Sequence, residues 1–143
     1  MIDDIQIQFA QSDHLDEIIS LIKSVEGDTE SILASEFMVA VRNSHIVGCG
    51  RIKIYADGTH ELGSIAVKEE LRSTGIGTQL ISALLRFCLY RPVYLLCIEQ
   101  NVNFFSRFGF AVADQQNVPL GLIPKFHRYL DSHMILMVLR GGV

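Results

Sequence analysis

The sequence predicts an α+β fold: one mixed, mostly antiparallel central sheet of six to seven strands, flanked by about four helices. Three observations carry this. The hydrophobic periods run in the order β-α-α-β-β-β-α-β-α-β-β. The strands after the first helices are joined by short turns, as hairpins require. A single strand–helix–strand crossover follows them, and a crossover of that length makes a parallel pair. A doubly wound parallel sheet would need helices between nearly all strands, and this chain lacks them. With 143 residues, positions 1–143 are expected to form a single domain.

Each element has its own signal. Ile5, Ile7 and Phe9 alternate with Gln6 and Gln8, the period of a half-buried strand. A helix then begins near Ser12 or Asp13 as N-cap, with Asp16 and Glu17 in its first turn. Its apolar face is Leu15, Ile18, Ile19, Ile22 and Val25. Residues 28–35 read as a short second helix. Phe37–Arg42 and His45–Tyr55 read as strands turning at Asn43-Ser44, and Asp57-Gly58 turns into a strand over Thr59–Val67. The glycines Gly48 and Gly50 mark a bulge or close packing. A polar loop, Lys68–Thr74, leads to a helix from Gly75 to Tyr90 with the stripe Leu80, Ile81, Leu84, Leu85 and Cys88. Val93–Ile98 is continuously apolar, as in a strand covered on both faces. Asn101–Phe108 reads as a short helix stopped by Gly109, with strands at Phe110–Ala113 and Met134–Leu139.

Composition removes several functions. The net charge of −4 argues against nucleic acid, whose partners carry a basic face. No apolar run reaches about 18 residues, so no membrane span is expected. The start, MIDDIQIQFA, has acids where a signal peptide has bases. Cys49, Cys88 and Cys97 are odd in number and lack ligand spacing, which points to reduced core thiols in the cytoplasm. The five histidines (His14, His45, His60, His127, His133) are dispersed, and no metal site is expected from them.

The informative stretch runs from Ile65 to Thr78. Glycines at a helix start let a ligand reach the backbone without a Cβ in the way. The free N–H groups of that first turn carry the positive end of the helix dipole. Arg72, three residues before Gly75, adds a formal charge, so the assembly suits a phosphate or pyrophosphate. A Walker A loop is excluded because no Gly-Lys-Ser/Thr follows. A dinucleotide fingerprint fits poorly, since Leu80 stands where its third glycine belongs.

At Arg72, Gly75 and Gly77 the chain resembles the GNAT superfamily of acyl-CoA-dependent N-acetyltransferases, whose pattern is Q/R-x-x-G-x-G/A. The strand Glu61–Val67 is similar to that family's fourth strand, and Asn103–Phe110 resembles its short helix ending in Gly-Phe. The resemblance implies a GNAT-type fold with acetyl-CoA as cosubstrate. Backbone groups around Ile65, Ala66 and Val67 would pair with the pantetheine arm. Amides of Arg72, Ser73, Thr74, Gly75, Ile76, Gly77 and Thr78 would hold the pyrophosphate, with Asn103 and Phe105 also lining the cofactor. The blocks Gly48–Arg51 and Glu61–Val67 are similar to the amino-acid-acetylating, N-acetylglutamate-synthase branch.

Acetyl transfer to an amine needs a base, a stabilised oxyanion and a leaving thiolate. Glu61, where some family members carry a catalytic glutamate, is the expected base, acting through a water. Alternation places it on one side with Gly63, Ile65 and Val67. An equally simple reading has Glu61 solvating a strand end. The family often protonates the thiolate with a tyrosine four residues before the Gly-Phe glycine; here that residue is Phe105, and Ser106, Cys97 and Tyr94 are the candidate substitutes. Arg51, Lys53 and Tyr55 share a strand face, where Arg51 and Lys53 would grip a substrate carboxylate. The expected partner is a small-molecule amine or amino acid, and a homodimer is compatible with the sequence. The alternative is a CoA-binding sensor with little catalysis, motivated by Phe105.

Overall fold

The computed structural model describes residues 4–129 and 132–141. Its strands are β1 (Gln6–Phe9), β2 (Phe37–Arg42), β3 (His45–Ile54), β4 (His60–Val67), β5 (Val93–Cys97), β6 (Ala111–Val112) and β7 (Ile135–Leu139). The α-helices are α1 (Leu15–Ser24), α2 (Ile76–Phe87), α3 (Val102–Ser106) and α4 (Ile123–Arg128). Strand order is β1-β2-β3-β4-β5-β7-β6, with β4 and β5 parallel. The pairs β1–β2, β2–β3, β5–β7 and β6–β7 are antiparallel, so the sheet is mixed and mostly antiparallel, as the sequence predicts.

The chain groups into two compact units, Met1–Ile52 with Ser64–Cys88, and Lys53–Gly63 with Leu89–Val143. In the first, β2 and β3 turn through Asn43 (φ 53°) and Ser44 (φ 67°). Two left-handed residues in a two-residue turn match the twist of a hairpin. Helix α1 buries Ile18, Leu21 and Ile22 in one cluster with Phe37, Val39, Cys49 and Ala66. The expected face held Ile19 where the structure buries Leu21, a rotation of the stripe by part of a turn. Helix α2 buries Ile76, Leu80, Ile81, Ala83 and Leu84. Gly48 and Gly50 serve close packing there: a Cβ at Gly48 would stand 3.0 Å from Ile76, and one at Gly50 3.1 Å from Leu84.

In the second unit, β4 meets β5 at His60↔Val93 and Glu61↔Tyr94. Val93, Leu95 and Cys97 of β5 are buried while Tyr94 and Leu96 are half-buried, so this strand alternates rather than being covered equally on both faces.

Two further departures matter. The helix expected over residues 28–35 is only a 3-10 turn at Ala34–Glu36. Asp28 Oδ1 instead accepts from the Glu30 N–H, and Ser31 has φ 51°, which stops a right-handed helix. Helix α4 lies in a stretch where the sequence reading placed nothing.

Candidate active site

Glu61 lies on β4 and is 2% exposed. Its Oε1 accepts from the Tyr55 hydroxyl at 2.7 Å, and its Oε2 pairs with Lys125 Nζ at 2.7 Å. A buried carboxylate needs such partners, because an unpaired charge away from water is costly. It therefore does not merely solvate a strand end. Lys125 comes from α4, whose approach is fixed by Gly121. The Gly121 N–H donates to Asp57 Oδ2 at 2.8 Å, and a Cβ there would lie 2.8 Å from Tyr55 Cβ. Asp57 also accepts from the Thr59 N–H (3.0 Å) and hydroxyl (2.9 Å), and these bonds hold its carboxyl below the usual carboxylate range. Lys53 places its ammonium 5.0 Å from the centre of the Tyr55 ring. His60, beside Glu61, stacks on Tyr90 at 3.8 Å and contacts the Gly58 carbonyl through Nδ1.

Arg51 is placed differently from the expectation that it meets a substrate carboxylate. It is 1% exposed, with Nε on Ser64 Oγ (3.1 Å), Nη1 on the Ser31 carbonyl (2.9 Å) and Nη2 on the Glu30 carbonyl (3.0 Å). Its charge is met by Glu36 at 3.3 Å. The guanidinium is thus engaged within the protein, and the pairing of Arg51 with Lys53 as a carboxylate grip loses its fork. The parity argument for Glu61 also stops short. Gly63 and Glu61 do share a side, since a Cβ at Gly63 would sit 3.6 Å from Glu61 Oε2. But Ser64 has φ 53°, and one left-handed residue inside a strand breaks the alternation, so Ile65 and Val67 do not follow from it.

The loop ahead of α2 is built as the glycine spacing suggests. Arg72, Ser73, Thr74, Gly75 and Thr78 are exposed, Gly77 is half-buried, and Ile76 is buried. Ser73 (φ 66°) and Gly75 (φ 93°) are left-handed, and Gly75 is the N-cap without any side-chain cap. The first intrahelical bond is Gln79 N–H to the Gly75 carbonyl at 3.0 Å. The amides of Ile76, Gly77 and Thr78 precede it and have no partner within the helix. Arg72 Nε reaches the Val67 carbonyl at 3.4 Å. A cleft of about 340 Å³ beside this loop is lined by Lys68 and Arg72 but also by Glu17, Glu69 and Glu70, so its charge is mixed.

Asn103 is exposed on α3. Phe105 is half-buried, with ring contacts to Phe104 and Phe110. Among its possible substitutes, the Ser106 hydroxyl donates to the Val102 carbonyl at 2.8 Å, while the Cys97 thiol is buried beside Met137 and raised in pKa by desolvation. The sequence reading missed Lys125 altogether, and it placed Tyr55 on a face without linking it to Glu61.

The Acetyltransferase (GNAT) domain family matches residues 34–112, more than half of the chain. An uncharacterised N-acetyltransferase of Chlorobaculum tepidum, CT2212, is 34% identical over 106 residues, covering 72% of this chain and 66% of that protein. The chain thus spans just under two thirds of the curated relative that it matches. Among solved structures, N-acetylglutamate synthase from Neisseria gonorrhoeae, complexed with coenzyme A and N-acetyl-glutamate, is similar at a TM-score of 0.77 with 21% identity. That likeness covers 95% of this chain and 35% of that one. Rv2747 from Mycobacterium tuberculosis, also in complex with CoA, has a TM-score of 0.75 at 21% identity, covering 95% and 99%. The strand order, the glycine-opened start of α2 and the family match agree: this chain belongs to the GNAT acetyltransferase family.

Proposed function

We propose that residues 1–143 act as one catalytic domain, an acetyl-CoA-dependent N-acetyltransferase whose acceptor is a primary amine of a small molecule or amino acid. The observation that carries this reading is the uncapped, glycine-opened start of α2 at the end of the loop that follows β4, in a chain of this family. The N-acetylglutamate synthase and Rv2747 structures holding coenzyme A support the choice of cofactor. Amides of Arg72–Thr78 would hold the pyrophosphate, and backbone groups of Ile65–Val67 the pantetheine arm; Asn103 and Phe105 are proposed as further cofactor contacts. In a ternary complex the amine nitrogen attacks the thioester carbonyl, a C–N bond forms, the C–S bond breaks and coenzyme A leaves as thiolate.

Glu61 is the proposed base. Tyr55 and Lys125 occupy two of the about four lone-pair sites of the Glu61 carboxylate, and the proposed role needs one of the others for a water or the amine. Lys53, buried beside the Tyr55 ring, keeps the proposed role of meeting a substrate carboxylate. Phe105 cannot donate a proton, so the thiolate, whose ordinary pKa is about 8.5, collects its proton from water. Cys49, Cys88 and Cys97 form no disulfide, which suits a reducing cytoplasm.

Thiol release from acetyl-CoA over a panel of amines and amino acids tests the reading. Amine-dependent release supports it. Coenzyme A binding with no amine-dependent release supports the sensor reading, which Phe105 favours.

A further inference from the structure

We propose that Arg51 is a positioning residue that pins the left-handed turn of β4 at Ser64 and ties it to the loop of residues 28–36. It thereby sets the backbone of Ile65–Val67. The functional consequence rests on the acetyl-CoA reading above.

Ser64 stands inside a strand with φ 53°, a conformation that a residue with a Cβ rarely adopts without being held. What holds it lies in one unit. Arg51 Nε donates to Ser64 Oγ, the Ser64 hydroxyl donates to the Asp28 carbonyl (3.4 Å), and the Cys49 thiol meets the Ser64 carbonyl (3.5 Å). The other end of the guanidinium takes the carbonyl of Ser31, itself left-handed at φ 51°, with those of Glu30 and the carboxylate of Glu36. Its face lies 5.2 Å from the Phe37 ring centre. Two strained serines from separate segments therefore converge on one buried, planar fork. A lysine cannot reproduce that geometry, because its donors radiate from a point at the end of a flexible stem.

The residue after Ser64 is Ile65. A left-handed residue inside a strand re-aims the N–H and C=O groups that follow it. If these groups receive the pantetheine arm, losing the pin misplaces the thioester, and misplacement of about 1 Å can cost about a hundredfold. Glycine adopts φ > 0 without strain, so a glycine at 64 would need no pin.

The test uses Arg51→Met, Arg51→Lys, Ser64→Gly, Ser64→Val and the double variant Arg51→Met/Ser64→Gly. Melting curves, coenzyme A titration, and kcat and KM for acetyl-CoA are read for each. Arg51→Met and Ser64→Val are expected to lose about tenfold or more in kcat/KM for acetyl-CoA, with no rescue by Arg51→Lys. Ser64→Gly is expected to lose less than about threefold, and Arg51→Met within it a further threefold at most. A folded Arg51→Met protein with wild-type kcat/KM overturns the proposal, as does an equal loss in both backgrounds. If Arg51→Met does not fold, equal kcat/KM for Ser64→Gly and Ser64→Val overturns it. A wild-type protein that neither binds coenzyme A nor transfers acetyl counts against the functional reading instead. Amide exchange at Ile65–Val67 then decides the pin: it should be faster in Arg51→Met than in the double variant, and equal rates refute it.

Discussion

Replacing Gly77 by alanine should stabilise the free protein and weaken its grip on coenzyme A, an opposition that only a ligand-facing glycine produces. A Cβ at Gly77 meets nothing within 4 Å, and its φ is not left-handed, so the protein itself does not require glycine there. Glycine inside a helix costs up to about 1 kcal/mol relative to alanine. For a chain of this size that is roughly 2–4 °C in Tm. With coenzyme A at about 100 times Kd, the wild-type protein gains about 2.7 kcal/mol. A methyl group in the phosphate path that weakens binding about a hundredfold leaves about 0.4 kcal/mol of that gain. Scanning calorimetry with and without coenzyme A reads both effects. Gly75→Ala provides the contrast: its φ of 93° penalises the folded backbone by about 1–2 kcal/mol although nothing crowds its Cβ. A Gly77→Ala protein that keeps the full ligand-induced shift would refute the placement of the phosphates.

Three further outcomes are expected. Glu61→Gln should slow turnover by about 10²–10⁴ while leaving coenzyme A affinity nearly intact, because in the proposed role the carboxylate meets the amine and not the cofactor; steady-state kinetics and titration calorimetry check this. Lys125→Met, which leaves a buried carboxylate with one partner fewer, should cost about 3–5 kcal/mol in urea unfolding. Burial pushes the Cys49 thiol up from 9.0 to about 12, so its contribution to stability is complete below pH 9 and fades as pH rises toward 12. A Cys49→Ala protein should show a smaller alkaline loss in the same unfolding series.

What the sequence disclosed is what local chemistry decides. The hairpin of β2 and β3 was legible because Asn43-Ser44 can take two left-handed residues, and α2 because its apolar stripe follows the helical period. The opening of α2 was legible because Gly75 takes a left-handed φ of 93° at its N-cap, which glycine adopts without strain. Helix α4 was hidden because it is six residues long and carries a proline in its first turn, too short for a period to register. Its anchors, Gly121 on Asp57 and Lys125 on Glu61, each join residues 64 apart. The left-handed turn at Ser64 had no signal, since serine does not announce a positive φ. Arg51 was read as one half of a substrate-carboxylate grip because two of its partners are the backbone carbonyls of Ser31 and Glu30, and carbonyl directions are not written in side-chain types.

Mass spectrometry of an amine and amino-acid panel incubated with isotopically labelled acetyl-CoA tests the central claim most directly, with wild-type and Glu61→Gln proteins side by side. The expected result is an acceptor that gains the labelled acetyl group on nitrogen, in equal amount to the coenzyme A released, and far more slowly with Glu61→Gln. Labelled acetyl-CoA left intact, or converted only to free acetate, across the whole panel would contradict it.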